Sequence, residues 1–256
     1  MLHSTVERER FVPALAHSWL TPLYDLAVAL PTRERVFKRE MVNQIEAAVA
    51  ELGEPRILDV ACGSGTLALR LKARLPSAHV VGLDGDSAIL RSARSKARRR
   101  QAEIHWVHGL SHSLPFPDHS FDAVVSSLFF HHLSPAGKRQ AATEMSRVVR
   151  PGGTLLLADF DRPRNVWMNA AFLLAQMIDG FTNTADHRAG RIPGMLSDVG
   201  WKQIEIRRDW NTWLGTLTLL AARKDSPLVD RRTLHGCGGD LADTAREPET
   251  MGDTPR

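Results

Sequence analysis

From residue 56 onward the chain alternates short apolar runs with helical patterns, and no other feature limits its fold so tightly. RILDVA leads through CGSG into TLALRLKARL, HVVGLD into DSAILRSARSKARRR, and SFDAVVSS into SPAGKRQAATEMSRVV. IHWVHG supplies a further strand between the second helix and SFDAVVSS, and PGGTLLLADF a fifth strand after a Pro-Gly-Gly turn. Units of this kind join right-handedly into a mostly parallel sheet. The strands read as continuous apolar runs, as expected when both sheet faces are covered. WKQIEIRRDW and TWLGTLTLLAARK then follow one another with only a short turn between them, which predicts an antiparallel pair at one edge.

Three flanking segments read differently. Residues 1–54 form a helical cap: Val36, Met41, Ile45, Val49 and Leu52 recur near helical spacing, with Thr32 as the N-cap and Gly53 as the stop. Residues 55–224 are the α/β domain, interrupted at about 164–200 by a helical insertion that carries Trp167, Met168, Phe172, Met177 and Phe181. Ordinary helix packing accounts for such a stripe. A wall for an apolar or aromatic ligand is the sharper reading. Residues 225–256 are polar, Gly-rich and without periodicity, so a disordered tail is expected.

With 43% hydrophobic and 24% charged residues, the composition is that of an ordinary globular protein. No run approaches the ~20 apolar residues that span a bilayer. MLHSTVERER lacks a basic stretch followed by an apolar core, and Cys62 and Cys237 are too few for a disulfide framework. A reduced, cytoplasmic setting is expected. The net charge of +4 is concentrated in RSARSKARRR. A solvated helix face is the default for that run, since basic residues suit a helix C-terminus. No aromatics are interleaved with it, so nucleic acid is not the expected partner, while peripheral membrane contact is compatible with the composition.

The chemistry sits in the turns. Gly63 and Gly65 fall between strand one and helix one, where glycine permits a tight turn and close approach to a ligand. Asp84 ends strand two, 19 residues beyond Gly65, where an acid in such folds bonds ribose hydroxyls. Gly63-Ser64-Gly65-Thr66-Leu67-Ala68 also satisfies the dinucleotide fingerprint. A nicotinamide- or flavin-linked oxidoreductase is therefore a rival reading. A Tyr/Lys dehydrogenase would need Tyr-x-x-x-Lys, and the single tyrosine, Tyr24, is followed four residues on by Val28.

SSLFFHHL follows strand four and puts His131 and His132 at the carboxyl end of the sheet, where sites in open α/β folds lie. Adjacent side chains are expected to diverge, and no Cys, Asp or Glu stands at ligand spacing, so no metal is expected. Proton transfer or orientation of a substrate by one histidine competes with a structural role for both.

LDVACGSGTLA, GLDGD, SLPFPDHSFDAVVSSLFFHHL and RVVRPGGTLLLADF occur in that order. Together they resemble the class I S-adenosylmethionine (SAM) dependent methyltransferases, in particular the group that includes ubiquinone and menaquinone C-methyltransferases. The likeness covers roughly residues 55–160. It implies a Rossmann-like α/β fold, a seven-stranded sheet of order 3-2-1-4-5-7-6 with strand seven antiparallel and helices on both faces. It also implies SAM as methyl donor, S-adenosylhomocysteine as product, and a small-molecule acceptor. By the same resemblance, Asp59 and the loop Ala61, Cys62, Gly63 and Gly65 contact the methionine part and Asp84 the ribose. Gly85 and Asp86 lie beside the adenosine, Tyr24 covers the cofactor, and Ser126 completes the set.

Two positions depart from the family. Many relatives have Gly where Ala61 stands. Relatives also carry an Asp-Ala pair where this chain has Leu110 and Ser111, and that Asp accepts from the adenine amino group. Adenine recognition here is expected to rest on backbone groups, Ser111 or apolar contact from Leu110, with weaker SAM affinity as the result. A SAM-binding protein without methyl transfer is the remaining alternative.

Overall fold

The computed structural model describes residues 33–162, 181–212 and 215–226, all within the compact unit Met1–Ser226. Tyr24, the Thr32 cap, the insertion residues Trp167, Met168, Phe172 and Met177, and the C-terminal tail lie outside the described residues.

Seven strands form one sheet: β1 (Arg56–Val60), β2 (His79–Asp84), β3 (His105–His108), β4 (Phe121–Ser127), β5 (Val149–Asp161), β6 (Trp201–Thr212) and β7 (Gly215–Lys224). Their order is β3-β2-β1-β4-β5-β7-β6, the order implied by the family resemblance. The first five strands run parallel, and β7 runs antiparallel to both β5 and β6. The order reverses direction at β1, so a crevice opens between the carboxyl ends of β1 and β4.

Each face of the sheet has its own apolar layer. Ile57, Val80, Val125, Leu156 and Leu219 pack beneath helices α1 (Glu34–Ala48) and α2 (Thr66–Arg74), which contribute Phe37, Met41, Ile45, Leu67 and Leu71. Leu58, Val60, Val124, Leu155 and Leu220 pack on the other face. There they meet Ala141, Met145 and Val148 of α4 (Pro135–Val148) and Met195 and Leu196 of α6 (Ile192–Asp198). Neighbouring strand residues serve opposite layers because side chains alternate across the pleat. The two remaining α-helices among the described residues are α3 (Ser87–Arg99) and α5 (Phe181–Arg188).

Three local expectations change. The first helix stops at Ala48, five residues before Gly53, and Arg33 occupies its N-cap position in the left-handed region (φ 56°). Pro151-Gly152-Gly153 is no turn before β5 but part of it. Gly152 takes φ +75°, and the β4–β5 register shifts between Phe121/Val149 and Ala123/Thr154, which is how a strand absorbs the irregularity. The LPFPD stretch before β4 is anchored by Arg147. Its guanidinium donates to the carbonyls of Leu114 and Phe116 and to the carboxylates of Asp118 and Glu144.

Candidate active site

At the carboxyl end of β1 the backbone turns through Ala61 (φ 56°), Gly63 (φ 55°) and Gly65 (φ 76°). A left-handed alanine costs about 1–2 kcal/mol that glycine avoids, which accounts for the family's preference at that position. Gly65 is needed for a second reason. A Cβ there would sit 2.3 Å from Cη2 of Trp106, and one on Gly82 would sit 2.5 Å from Cζ3 of the same ring. The indole of β3 thus crosses β2 and reaches the start of α2 through two glycines.

Asp84 binds this loop to the next one. Its Oδ2 accepts from the N–H of Gly63 at 2.8 Å and its Oδ1 from the N–H of Asp86 at 2.9 Å. Burial raises the Asp84 pKa, and these two hydrogen bonds oppose the rise. Each carboxylate oxygen keeps a second lone pair, so the acid can still accept from a diol. Asp86 caps α3 by accepting from Ala88 at 2.7 Å and Ile89 at 3.3 Å. The cap explains its presence without a ligand. The β3 loop joins the same end, through Gly109 N–H to the Asp84 carbonyl (3.1 Å) and the His108 ring to the Gly85 carbonyl (3.0 Å). Leu110 is 40% exposed there, with Ser111 buried beside it.

Asp59 is 1% exposed, and neither carboxylate oxygen has a hydrogen-bond partner among the described residues. Burial pushes its pKa up to about 7 despite the opposing charge of Lys38 on α1. Lys38 is itself paired with Glu34. An unpaired buried carboxylate is costly, and a cationic ligand would relieve it. Cys62 is buried, with its thiol pKa pushed well up by burial, so it stays neutral. Ser126 is fully buried and donates to the Val60 carbonyl at 2.9 Å, tying β4 to β1.

The second half of the site lies at the ends of β4 and β5. Phe130–His132 form a single 3₁₀ turn. Asp159 of β5 holds this turn: its Oδ2 accepts from the N–H groups of Phe129 (3.0 Å), Phe130 (2.6 Å) and His131 (3.3 Å). Its Oδ1 accepts from Phe160 N–H at 2.7 Å and from Nδ1 of His131 at 2.6 Å. Burial alone would raise the Asp159 pKa. The neighbouring His131 charge and the hydrogen bonds outweigh burial and hold it far below the usual carboxylate range. His131 is buried and His132 exposed. Their rings do not diverge as expected. The tight turn leaves the centroids 4.0 Å apart.

Two side chains that the sequence does not single out complete this end. His187 of α5 is fully buried, and its Nδ1 donates to the Phe160 carbonyl at 2.6 Å, which leaves Nε2 unprotonated and without a partner among the described residues. Burial lowers its pKa, with Asp159 pulling the other way. Lys138 of α4 is also fully buried, donating to the Asn183 carbonyl and lying 3.6 Å from Asp186. No group of three His, Cys, Asp or Glu among the described residues is placed to hold a metal ion.

A glycine turn after β1, an acid at the end of β2 and an insertion after β5 on a 3-2-1-4-5-7-6 sheet define a Rossmann-like methyltransferase architecture. Comparison with known proteins agrees. The methyltransferase-domain family matches residues 57–153. A demethylmenaquinone methyltransferase of Thermus thermophilus is 42% identical over 148 residues, covering 57% of this chain and 64% of that protein. The Deinococcus radiodurans protein of the same name is 41% identical over 119 residues, 46% of this chain and 48% of its own length. The chain thus spans half to two thirds of these two relatives. An uncharacterized methyltransferase of Mycobacterium bovis is 35% identical over 145 residues and is covered to 71%. The chain belongs to the SAM-dependent methyltransferases.

Solved structures support the fold. A SAM-dependent methyltransferase from Aquifex aeolicus superposes with TM-score 0.56 at 17% identity, over 81% of this chain and 98% of that one. The [4+2]-cyclase SpnF superposes with TM-score 0.62 at 18% identity, over 82% and 94%. A cyclase on this fold is a reminder that activity resides in the site.

Proposed function

We propose that this protein transfers the methyl group of SAM to a small aromatic or otherwise apolar molecule. The observation that carries the reading is the Asp84 carboxylate clamping the Gly63 loop to the start of α3, beside a buried Asp59 carboxylate whose burial Lys38 offsets only in part. SAM brings two positive charges, a sulfonium and an ammonium, and a ribose diol. Asp59 with the Ala61–Gly65 loop would hold the methionine part, and Asp84 the diol. Gly85, Leu110 and Ser111 would flank the adenine, with Tyr24 as cover.

SAM supplies an already activated methyl group. What the chain must add is alignment of the acceptor, worth about 7–11 kcal/mol in favourable cases, and removal of a proton where the acceptor carries one. His131 and His132 are the candidates for that side. The division into a cap (1–54), a domain (55–224) and a tail (225–256) belongs to this proposal, as does action in a reducing, cytoplasmic compartment. The buried free thiol of Cys62 is compatible with such a compartment. No helix among the described residues is long and apolar enough to cross a membrane.

Relatives named for menaquinone suggest a naphthoquinol as the first acceptor to try. Titration calorimetry with SAM, S-adenosylhomocysteine and NAD(H) should give binding of the first two alone. Tight NAD binding without SAM binding would overturn the reading. Labelled methyl transfer from SAM into cell extract, followed by identification of the product, tests activity. SAM binding without any labelled product would leave a SAM-binding protein that transfers no methyl group.

A further inference from the structure

We infer that Trp106 is a positioning residue for the methyl donor: its indole lies across Gly82 and supports Gly65 from behind, which fixes the turn after β1 at the distance that binds SAM. This rests on the reading above that the Ala61–Gly65 turn holds SAM, and it brings a residue from outside that turn into the binding.

The two glycines of the turn have different surroundings. Among the described residues, a Cβ on Gly63 would meet only Cδ1 of Ile89, at an ordinary 3.8 Å. A Cβ on Gly65 would meet Cη2 of Trp106 at 2.3 Å, Cζ3 at 2.9 Å and the Cβ of Ala93 at 3.1 Å. Gly63 has room in front of it and gives its N–H to Asp84. Gly65 is wedged between the indole of β3 and helix α3.

Register brings the indole there. Asp59, Gly82 and Trp106 are cross-strand partners in one row over β1, β2 and β3. The glycine in the middle leaves the space that the ring fills, since a Cβ on Gly82 would sit 2.5 Å from Cζ3 and 2.6 Å from Cε3. Arg94 of α3 donates to the Trp106 carbonyl at 3.3 Å and so ties β3 to that helix. Two residues on, and on the same face of the strand, the His108 ring contacts the Gly85 carbonyl at 3.0 Å. β3 therefore supports both the Gly65 turn and the loop after β2.

Such a turn needs support. Glycine has the widest conformational choice of any residue, while a binding constellation must be held to within about 0.5 Å. Asp84 fixes the front of the turn through the Gly63 N–H, and the indole fixes its back. Removing the ring opens a cavity into which Gly65 can settle. The turn must then be ordered again each time SAM binds, and that cost falls on affinity.

The test is calorimetric titration of SAM into the full chain, with urea unfolding of each variant. Trp106→Ala should bind SAM about tenfold or more weaker. Trp106→Leu takes its place where the alanine variant does not fold. Trp106→Phe, whose ring still covers Gly82 but falls short of Gly65, should lose about threefold. Gly82→Ala pushes a methyl into the ring and should weaken binding about tenfold in the wild type. In the Trp106→Ala or Trp106→Leu chain the same methyl enters vacated space and should cost nothing further. Trp201→Leu is the comparison: that side chain is buried on the other face of the sheet and donates to the Ala142 carbonyl. It should lower stability yet keep SAM affinity within about threefold. Affinity retained by both the alanine and leucine variants at Trp106 overturns the inference. So does a loss in Trp201→Leu as large as theirs, which would mean general loosening, or a Gly82→Ala effect equal in the presence and absence of the indole. Each of these outcomes leaves the cofactor reading standing. A wild type that binds no SAM overturns that reading and this inference together.

Discussion

The two halves of the site are built by different means. At the ends of β1 and β2 the backbone does the work, through three left-handed residues within five positions, a capped helix and carboxylates that accept main-chain N–H groups. At the ends of β4 and β5 the work falls to side chains. His131, Asp159, Lys138 and His187 come from four elements as much as 56 positions apart and meet in a volume that water scarcely enters. A backbone-built half tolerates changes of side chain and punishes changes of φ. A side-chain-built half should do the reverse.

The largest effect is expected on the side-chain half. Asp159→Ala leaves four backbone N–H groups and the His131 ring without their acceptor, and breaking a buried charged contact of this kind costs about 3–5 kcal/mol. Urea unfolding measures it. A loss under about 1 kcal/mol would mean that the turn holds itself.

Next comes Gly65→Ala on the backbone half. The Cβ meets the Trp106 ring at 2.3 Å at a residue with φ +76°. Strain plus overpacking amounts to about 2–5 kcal/mol. Trp106→Leu in the same chain should recover the packing part but not the φ part, and a double variant no better than the single one would refute the steric account.

Asp59 supplies the pH dependence. Its folded pKa of about 7 lies above the ordinary 3.8, so between those values the folded chain keeps a proton that the unfolded chain has released. Stability from this group therefore falls as pH rises from about 4 to 7, by on the order of 4 kcal/mol, and the penalty is fully present above 7. Asp59→Asn should melt higher than the wild type at pH 8 and alike at pH 4. SAM binding at pH 6 should release a proton in the wild type only, read as a dependence of calorimetric heat on buffer.

Leu110→Asp, at a 40% exposed position, should tighten SAM binding by up to about tenfold if the acid reaches the adenine amino group. Unchanged affinity would mean that backbone groups already serve that subsite. The smallest effect is Ala61→Gly, which relieves φ 56° and should stabilise the chain by up to about 1 kcal/mol, offset in part by the flexibility of glycine in the unfolded state.

The half of the candidate site at the ends of β1 and β2 was legible in sequence because its parts are contiguous. Turn glycines, a strand-ending acid and a helix cap each act on neighbours a few residues away, and they read as motifs: LDVACGSG, GLDGD. The sheet order followed from a resemblance spread over four motifs, and the apolar runs made each parallel strand recognisable. What went unread was whatever depends on distant contacts. Gly82 is an unremarked glycine until Trp106 lies across it. HHL gives two equivalent histidines until Asp159, 28 residues on, engages one and leaves the other exposed. His187, in TADHRAG, offers no local sign that it becomes fully buried.

The sequence by itself determined the α/β class, the glycine turn after β1 and the family, since local conformational preference and hydrophobic period are properties of short stretches. The tertiary structure decided which histidine Asp159 holds, which carboxylate is buried without a hydrogen-bond partner among the described residues and which glycines face an indole. Each of these is set by what the fold brings within a few ångströms, where burial multiplies the energy of every charge and every missing hydrogen bond.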